Sequence, residues 1–139
     1  MTASNLRRHL HTETIPIRWG DMDAMGHVNN TVYFRYMEQA RIGFYERYGA
    51  SGAGLPPDHG PVVINSSCTF RKALTYPGSV EVRVFAGEFG RTSLMTWYEI
   101  RPSYDPDVIY ADGAAKACFI DMKRNKAVPL PQTLRALAE

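Results

Sequence analysis

Apolar residues recur in this chain at two periods, and the change of period divides it. From about Asn29 to Gly49, Tyr33, Met37, Ala40, Phe44 and Tyr48 stand three or four residues apart, with Arg35, Glu38, Arg41, Glu46 and Arg47 between them. That spacing predicts one long amphipathic helix. Asn29 or Asn30 can cap its start with a side-chain oxygen, and Gly49 suits its end. Glu38 and Arg41 are spaced to pair across one turn. Gly43 in mid-helix is unfavourable by about 1 kcal/mol against alanine. Its presence predicts close approach of another backbone, as when a sheet wraps the helix.

Downstream the period falls to two. Val62–Leu74 reads as a strand, and Tyr76-Pro77-Gly78 as a turn. Ser79–Phe89 alternates, with Val80, Val82 and Val84 on one face and Glu81 and Arg83 on the other. Gly90-Arg91 predicts a hairpin turn into Thr92–Arg101, where Leu94, Tyr98 and Ile100 oppose Met95 and Trp97. After a turn at Asp105-Pro106-Asp107, Val108–Met122 reads as a last long strand. Its small residues Ala111, Gly113, Ala115 and Ala117 leave room for something large, such as the helix. Lys123 to Lys126 reads as a polar turn, and Gln132–Ala138 as a short helical tail. Upstream, Ile15, Ile17 and Trp19 share one face of a strand over Thr12–Trp19, with Pro16 marking an edge. Met1–His11 reads as a loose terminus. One strand, one long helix and four hairpin-linked strands predict an α+β domain over residues 1–139, an antiparallel sheet of five or six strands around a single central helix. Open sheet edges favour a homo-oligomer.

Composition narrows the options. A 45% hydrophobic fraction supports a real core, and a net charge of +2 with interspersed signs argues against a nucleic-acid partner. Cys68 and Cys118 lack metal-ligand spacing and are expected to be buried free thiols. The polar N-terminal stretch and the lack of an apolar run of about 20 residues lead to the expectation of a cytoplasmic protein without membrane insertion.

The densest chemistry lies just before the helix, in Arg18-Trp19-Gly20-Asp21-Met22-Asp23-Ala24-Met25-Gly26-His27-Val28-Asn29-Asn30. Aspartates beside glycines serve turns, and asparagines before a helix serve as caps. Asp21 suits loop fixing by accepting backbone amides. Asp23 is the candidate reactive carboxylate, as a general base on water or as a nucleophile. His27 could orient Asp23, bind substrate or brace the loop. Asp21, Asp23 and His27 have no further ligand cluster nearby, so no metal is expected. The helix start offers free N–H groups to a developing anion.

The run Asp21-x-Asp23-x-x-Gly26-His27-Val28-Asn29-Asn30, followed by Tyr33, Glu38, Ala40 and Arg41, resembles the hot-dog-fold acyl-CoA thioesterases, and most closely the 4-hydroxybenzoyl-CoA thioesterase-like branch. Val128-Pro129-Leu130-Pro131 also looks like that branch's ending. The resemblance implies hydrolysis of an acyl thioester to the free acid and CoA, with no cofactor. It puts catalysis on Asp23; the second catalytic candidate, His27, rests on its place in the loop. It places the thioester carbonyl on helix-start amides near Asn29 to Thr31. Gly26, Asn29, Asn30, Thr31, Tyr33 and Glu38 become the candidate substrate-binding positions, with Glu38 read either as part of a solvated face or as a polar group reaching a partner subunit's site. It further implies a homodimer or homotetramer with sites between subunits, and an acyl-CoA or acyl carrier protein as partner. Arg71-Lys72, Arg91 and Lys123-Arg124-Lys126 are the clusters that could meet the CoA phosphates. His27 departs from the aromatic-acyl prototype, which is apolar there, and is closer to the fatty-acyl members. A hydratase or dehydratase, or a non-catalytic acyl-thioester-binding protein, are the alternatives within the same fold.

Overall fold

The computed structural model describes residues 7–138. Its elements are β1 (Arg8–Pro16), a 3-10 turn (Trp19–Asp21), α1 (Asn30–Arg47), β2 (His59–Phe70), β3 (Ser79–Gly87), β4 (Ser93–Pro102), β5 (Ala111–Asp121), β6 (Lys126–Ala127) and α2 (Gln132–Arg135). The strands form one antiparallel sheet in the order β1-β3-β4-β5-β2, with the two-residue β6 added beside the end of β5. The sheet curls around α1, which packs principally against β1 and β3. This is the α+β arrangement expected from the sequence.

Its core follows from the two periods. Val80, Val82 and Val84 of β3, Leu94, Tyr98 and Ile100 of β4, and Ala111, Ala115, Ala117 and Phe119 of β5 all face inward and are buried. Tyr33, Met37, Ala40, Phe44 and Tyr45 of α1 meet them. The small residues of β5 admit the helix as expected. A side chain on Gly113 would place its first carbon 2.5 Å from Met37 Sδ and 2.6 Å from the Ser67 carbonyl oxygen. Gly43 also has a packing reason, but side chains rather than backbone supply it. The Glu13 carboxylate and the His11 ring of β1 occupy the space a Cβ would need.

Several expectations are corrected. The expected loose terminus already pairs with β3 from Arg8 onward. Polar β1 is held by backbone hydrogen bonds at a sheet edge, and side-chain alternation does not report those. Trp19 does not join Ile17 inside. The chain leaves the sheet after Pro16, and Trp19 sits in the 3-10 turn, 74% exposed. Strand β2 begins three residues and ends four residues earlier than expected. It pairs with β5 rather than with its sequence neighbour β3, so the hairpin-linked run begins at β3 and passes through β4 and β5 to the short β6. Glu38 and Arg41 form no ion pair among the described residues. Arg41 instead donates to the Tyr98 hydroxyl at 3.0 Å, across the core. Cys68 and Cys118 are free but only half-buried. Burial still pushes the Cys68 thiol up to about 11, so it carries no reactive thiolate at neutral pH. None of the described helices is long and apolar enough to cross a membrane.

Candidate active site

The loop between β1 and α1 is a small closed structure. Met22 and Val28 form an antiparallel bridge at its base. Inside it the Asp23 N–H donates to the His27 carbonyl at 2.9 Å, and the Gly26 N–H donates to the Asp23 carbonyl at 2.9 Å. Gly26 turns the tip at φ +79°, a left-handed conformation that glycine adopts without strain. The Val28 N–H donates to the Leu74 carbonyl at 2.9 Å, which ties the loop to the segment after β2.

The two aspartates have separate surroundings. Asp21 is half-buried and accepts from the Arg18 N–H at 2.9 Å and the Tyr36 hydroxyl at 2.8 Å. Its own carbonyl accepts from the Asn29 N–H at 3.0 Å. These bonds make Asp21 a brace between turn, loop and helix. Asp23 is exposed. Its carboxylate accepts from the Met25 N–H at 2.9 Å and from Asn29 Nδ2 at 3.1 Å. A carboxylate has about four lone-pair sites, so this one is oriented but still has room to act on an incoming molecule.

Asn29 joins that carboxylate to the helix. Its amide nitrogen holds Asp23, while its oxygen accepts from the Thr31 N–H at 2.9 Å and the Thr31 hydroxyl at 2.6 Å, making Asn29 the N-cap. The capping commits the Thr31 amide, and the Asn29 amide is committed to Asp21. Of the three amides expected to face a thioester carbonyl, only that of Asn30 has no hydrogen-bond partner among the described residues.

Asp23, His27, Asn30 and Tyr33 line one open groove of about 410 Å³ with Phe70, Arg71 and Lys72. Of the expected binding residues, Gly26 turns the loop, and Asn29 and Thr31 build the helix start. Tyr33 is buried beneath the groove and accepts from the Leu74 N–H at 3.1 Å, with its ring edge-on to Phe70 at 5.0 Å. Burial raises the Tyr33 phenol above its usual range, and burial and then the Asp21 carboxylate raise that of Tyr36. Both therefore stay neutral hydrogen-bonding groups. Glu38 is not brought to Asp23 within one chain, since it lies further along α1 beside Arg41 and Tyr45. Among the basic clusters only Arg71 and Lys72 border the groove. Arg71 pairs with Asp112, and Lys72 Nζ is 3.8 Å from Asp105. Sequence reasoning missed Tyr36 and Phe70. Tyr36 follows Tyr33 by nearly one helical turn, a spacing that could have flagged it. Among the described residues no three metal-binding side chains cluster.

A braced acidic loop that opens into the one long helix among the described residues, inside a curled antiparallel sheet, defines a hot-dog-fold protein. The family model of the thioesterase-like superfamily matches residues 17–137, and the chain belongs to that superfamily. A Pseudomonas aeruginosa protein provisionally described as a thioesterase is 39% identical, with a TM-score of 0.88 over 95% of this chain and 100% of its own. A Xanthomonas campestris protein provisionally described as an acyl-CoA thioesterase is 32% identical, with a TM-score of 0.72 over 82% of this chain and 95% of its own. A relative from Aquifex aeolicus, provisionally described as an esterase, is 29% identical over 84% of this chain and 88% of its own.

Proposed function

We propose that this protein hydrolyses acyl-CoA thioesters, with Asp23 as the reactive carboxylate. The observation that carries the reading is the presence in one groove of an oriented, exposed Asp23 carboxylate and of Asn30, whose amide has no hydrogen-bond partner among the described residues. In the general-base route, Asp23 takes a proton from water as the water oxygen bonds to the thioester carbon. Charge builds on the carbonyl oxygen, where the Asn30 N–H and the positive end of α1 stabilise it. Collapse breaks the carbon–sulfur bond and releases the CoA thiolate. That thiolate is a fair leaving group, so no strong acid is required. His27 lines the same groove, and in this reading it contacts the substrate beside the carboxylate. Arg71 and Lys72 supply positive charge at its rim for the phosphates of CoA.

Asp23→Asn tests the assignment. It keeps the size and one of the two acceptor oxygens of the side chain but cannot take a proton from water. Thiol release from acyl-CoA is expected to fall about 100-fold or more, with the unfolding midpoint little changed. Undiminished release would refute the role of Asp23.

We further propose that a second copy of the chain pairs along β2. This edge strand leaves Val62, Val63 and Ile64 substantially exposed, the kind of edge that invites pairing. Val63→Lys is expected to shift sedimentation toward the monomer. A protein that sediments as a monomer without the substitution would refute this assembly.

A further inference from the structure

The face of the sheet turned away from α1 carries a second cleft, of about 530 Å³. Strand alternation builds it. The register sets Ser67 of β2, Ala114 of β5, Trp97 of β4 and Phe85 of β3 side by side in one row across the sheet. Two small side chains beside two large rings leave a hollow, with Ala114 on its floor and Trp97 and Phe85 in its wall. The Arg7 guanidinium lies 4.1 Å over the Trp97 ring and adds a second planar group to that wall. The next row sets Thr69, Asp112 and Glu99 along the same cleft. Its volume lies within the range of small-molecule sites, about 300–1,000 Å³.

The polar groups of the cleft select what it can hold. Asp112 pairs with Arg71, and Glu99 accepts from Arg101 at 2.9 Å. A carboxylate has about four lone-pair sites, so each of the two can accept again. Together they repel a phosphate inside the cleft and favour an uncharged group that donates N–H. The indole and the guanidinium favour a flat one, since nucleobases stack on both. Adenine meets both conditions, because it is planar and neutral and its exocyclic amine donates.

Arg71 joins the cleft to the Asp23 groove, since it lines both. Phe70 contacts Tyr33 and Phe34 of α1, whereas its neighbour Arg71 reaches Asp112 on the outer face. The end of β2 is therefore a rim over which one extended ligand passes from groove to cleft. A CoA thioester with its carbonyl at Asp23 and its diphosphate at Arg71 and Lys72 carries its adenosine beyond that rim. The cleft floor lies on β5, one strand in from the open edge of β2. Pairing of a second copy along that edge extends the sheet beside the cleft rather than over it. We propose that this cleft holds the adenine of CoA, so that the protein takes CoA thioesters in preference to the same acyl group on a carrier protein, whose phosphopantetheine arm has no nucleotide. This rests on the reading of Asp23 as the thioesterase carboxylate.

The test compares kcat/KM for acyl-CoAs and for the matching S-acyl 4′-phosphopantetheines, which lack the adenosine, in the unmodified protein and in Ala114→Leu. The leucine fills the floor of the cleft from the outer face of β5. The unmodified protein is expected to favour the CoA thioester, and that ratio is expected to drop about 5- to 100-fold in Ala114→Leu, the span of one base–aromatic contact. Trp97→Ala, which removes the wall instead, is expected to lower it likewise, and urea midpoints show that each variant is folded. Equal kcat/KM values in the unmodified protein, or a preference that survives both substitutions, would overturn the inference. Calorimetry with adenosine 3′,5′-bisphosphate reads the cleft without catalysis, and binding is expected to weaken by the same factor in Ala114→Leu. If no acyl thioester is hydrolysed, the reading of Asp23 falls and the calorimetry alone decides on the cleft. A second copy lying over the cleft would abolish binding of the bisphosphate and overturn the inference.

Discussion

Asn29 performs two tasks with the two ends of one amide, and substitutions can separate them. Its oxygen caps α1 through Thr31, and its nitrogen holds the Asp23 carboxylate. Asn29→Ala removes both functions. Loss of the cap should destabilise the protein by about 1 kcal/mol, within a range of roughly 0.5–2. For a chain of this size that lowers Tm by roughly 3–5 °C. Asn29→Ser keeps an oxygen that can accept from the Thr31 N–H, so stability should stay within about 0.5 kcal/mol of the original. Serine is too short to reproduce the Asn29 bond to Asp23, so the carboxylate loses one of its two anchors. Misplacement on the scale of 1 Å can lower a rate about 100-fold, and a fall of about 10- to 100-fold in kcat is expected for both variants. Denaturant unfolding and a thiol-release assay on the same preparations give the two readouts. Equal stability losses in Ala and Ser would refute the capping role. Full turnover in Asn29→Ser would refute the claim that this amide positions Asp23.

Two further outcomes follow from the packing and from the chain's acid behaviour. Gly113→Ala drives a methyl into Met37 Sδ and the Ser67 carbonyl and should destabilise the protein by about 1–3 kcal/mol. An unchanged urea midpoint would mean that β2 and α1 can move apart freely. The Asp121 carboxyl lies below its usual range, chiefly because the Arg124 N–H donates to it and then because the Lys123 N–H does. A carboxyl lowered in the folded state adds stability above its unfolded pKa, near 4, and that stability is lost as the pH falls through the folded value. Asp121→Asn should therefore flatten the urea midpoint against pH below about pH 4, and an unaltered acid limb would contradict the assignment.

The elements best read from sequence are those with one wet and one dry face. Helix α1 and strands β3 and β4 present such faces, and their periods predicted Met37, Ala40, Val82 and Tyr98 as core, all of which are buried. Edge strands were misread because the rule that reads a strand depends on a buried face. β1 is polar and held by backbone pairing, and β2 carries three consecutive apolar residues without burying them. Arg41 shows the same limit within the helix. Local spacing offered it Glu38, and the fold supplied the hydroxyl of Tyr98, 57 positions away in sequence.

The sequence by itself determined the existence and period of the long helix, the alternation of the central strands and the concentration of reactive groups in one loop. Those properties are local, set by spacing along the chain and by the turn chemistry of Gly26 and Asn29. The order of the strands, the placing of Arg71, Lys72 and Phe70 in one groove with Asp23, and the binding of Asp21 by the Tyr36 hydroxyl were decided only in three dimensions. Each depends on which distant segments share a surface, and that is settled by packing the whole core at once rather than by any one stretch of chain.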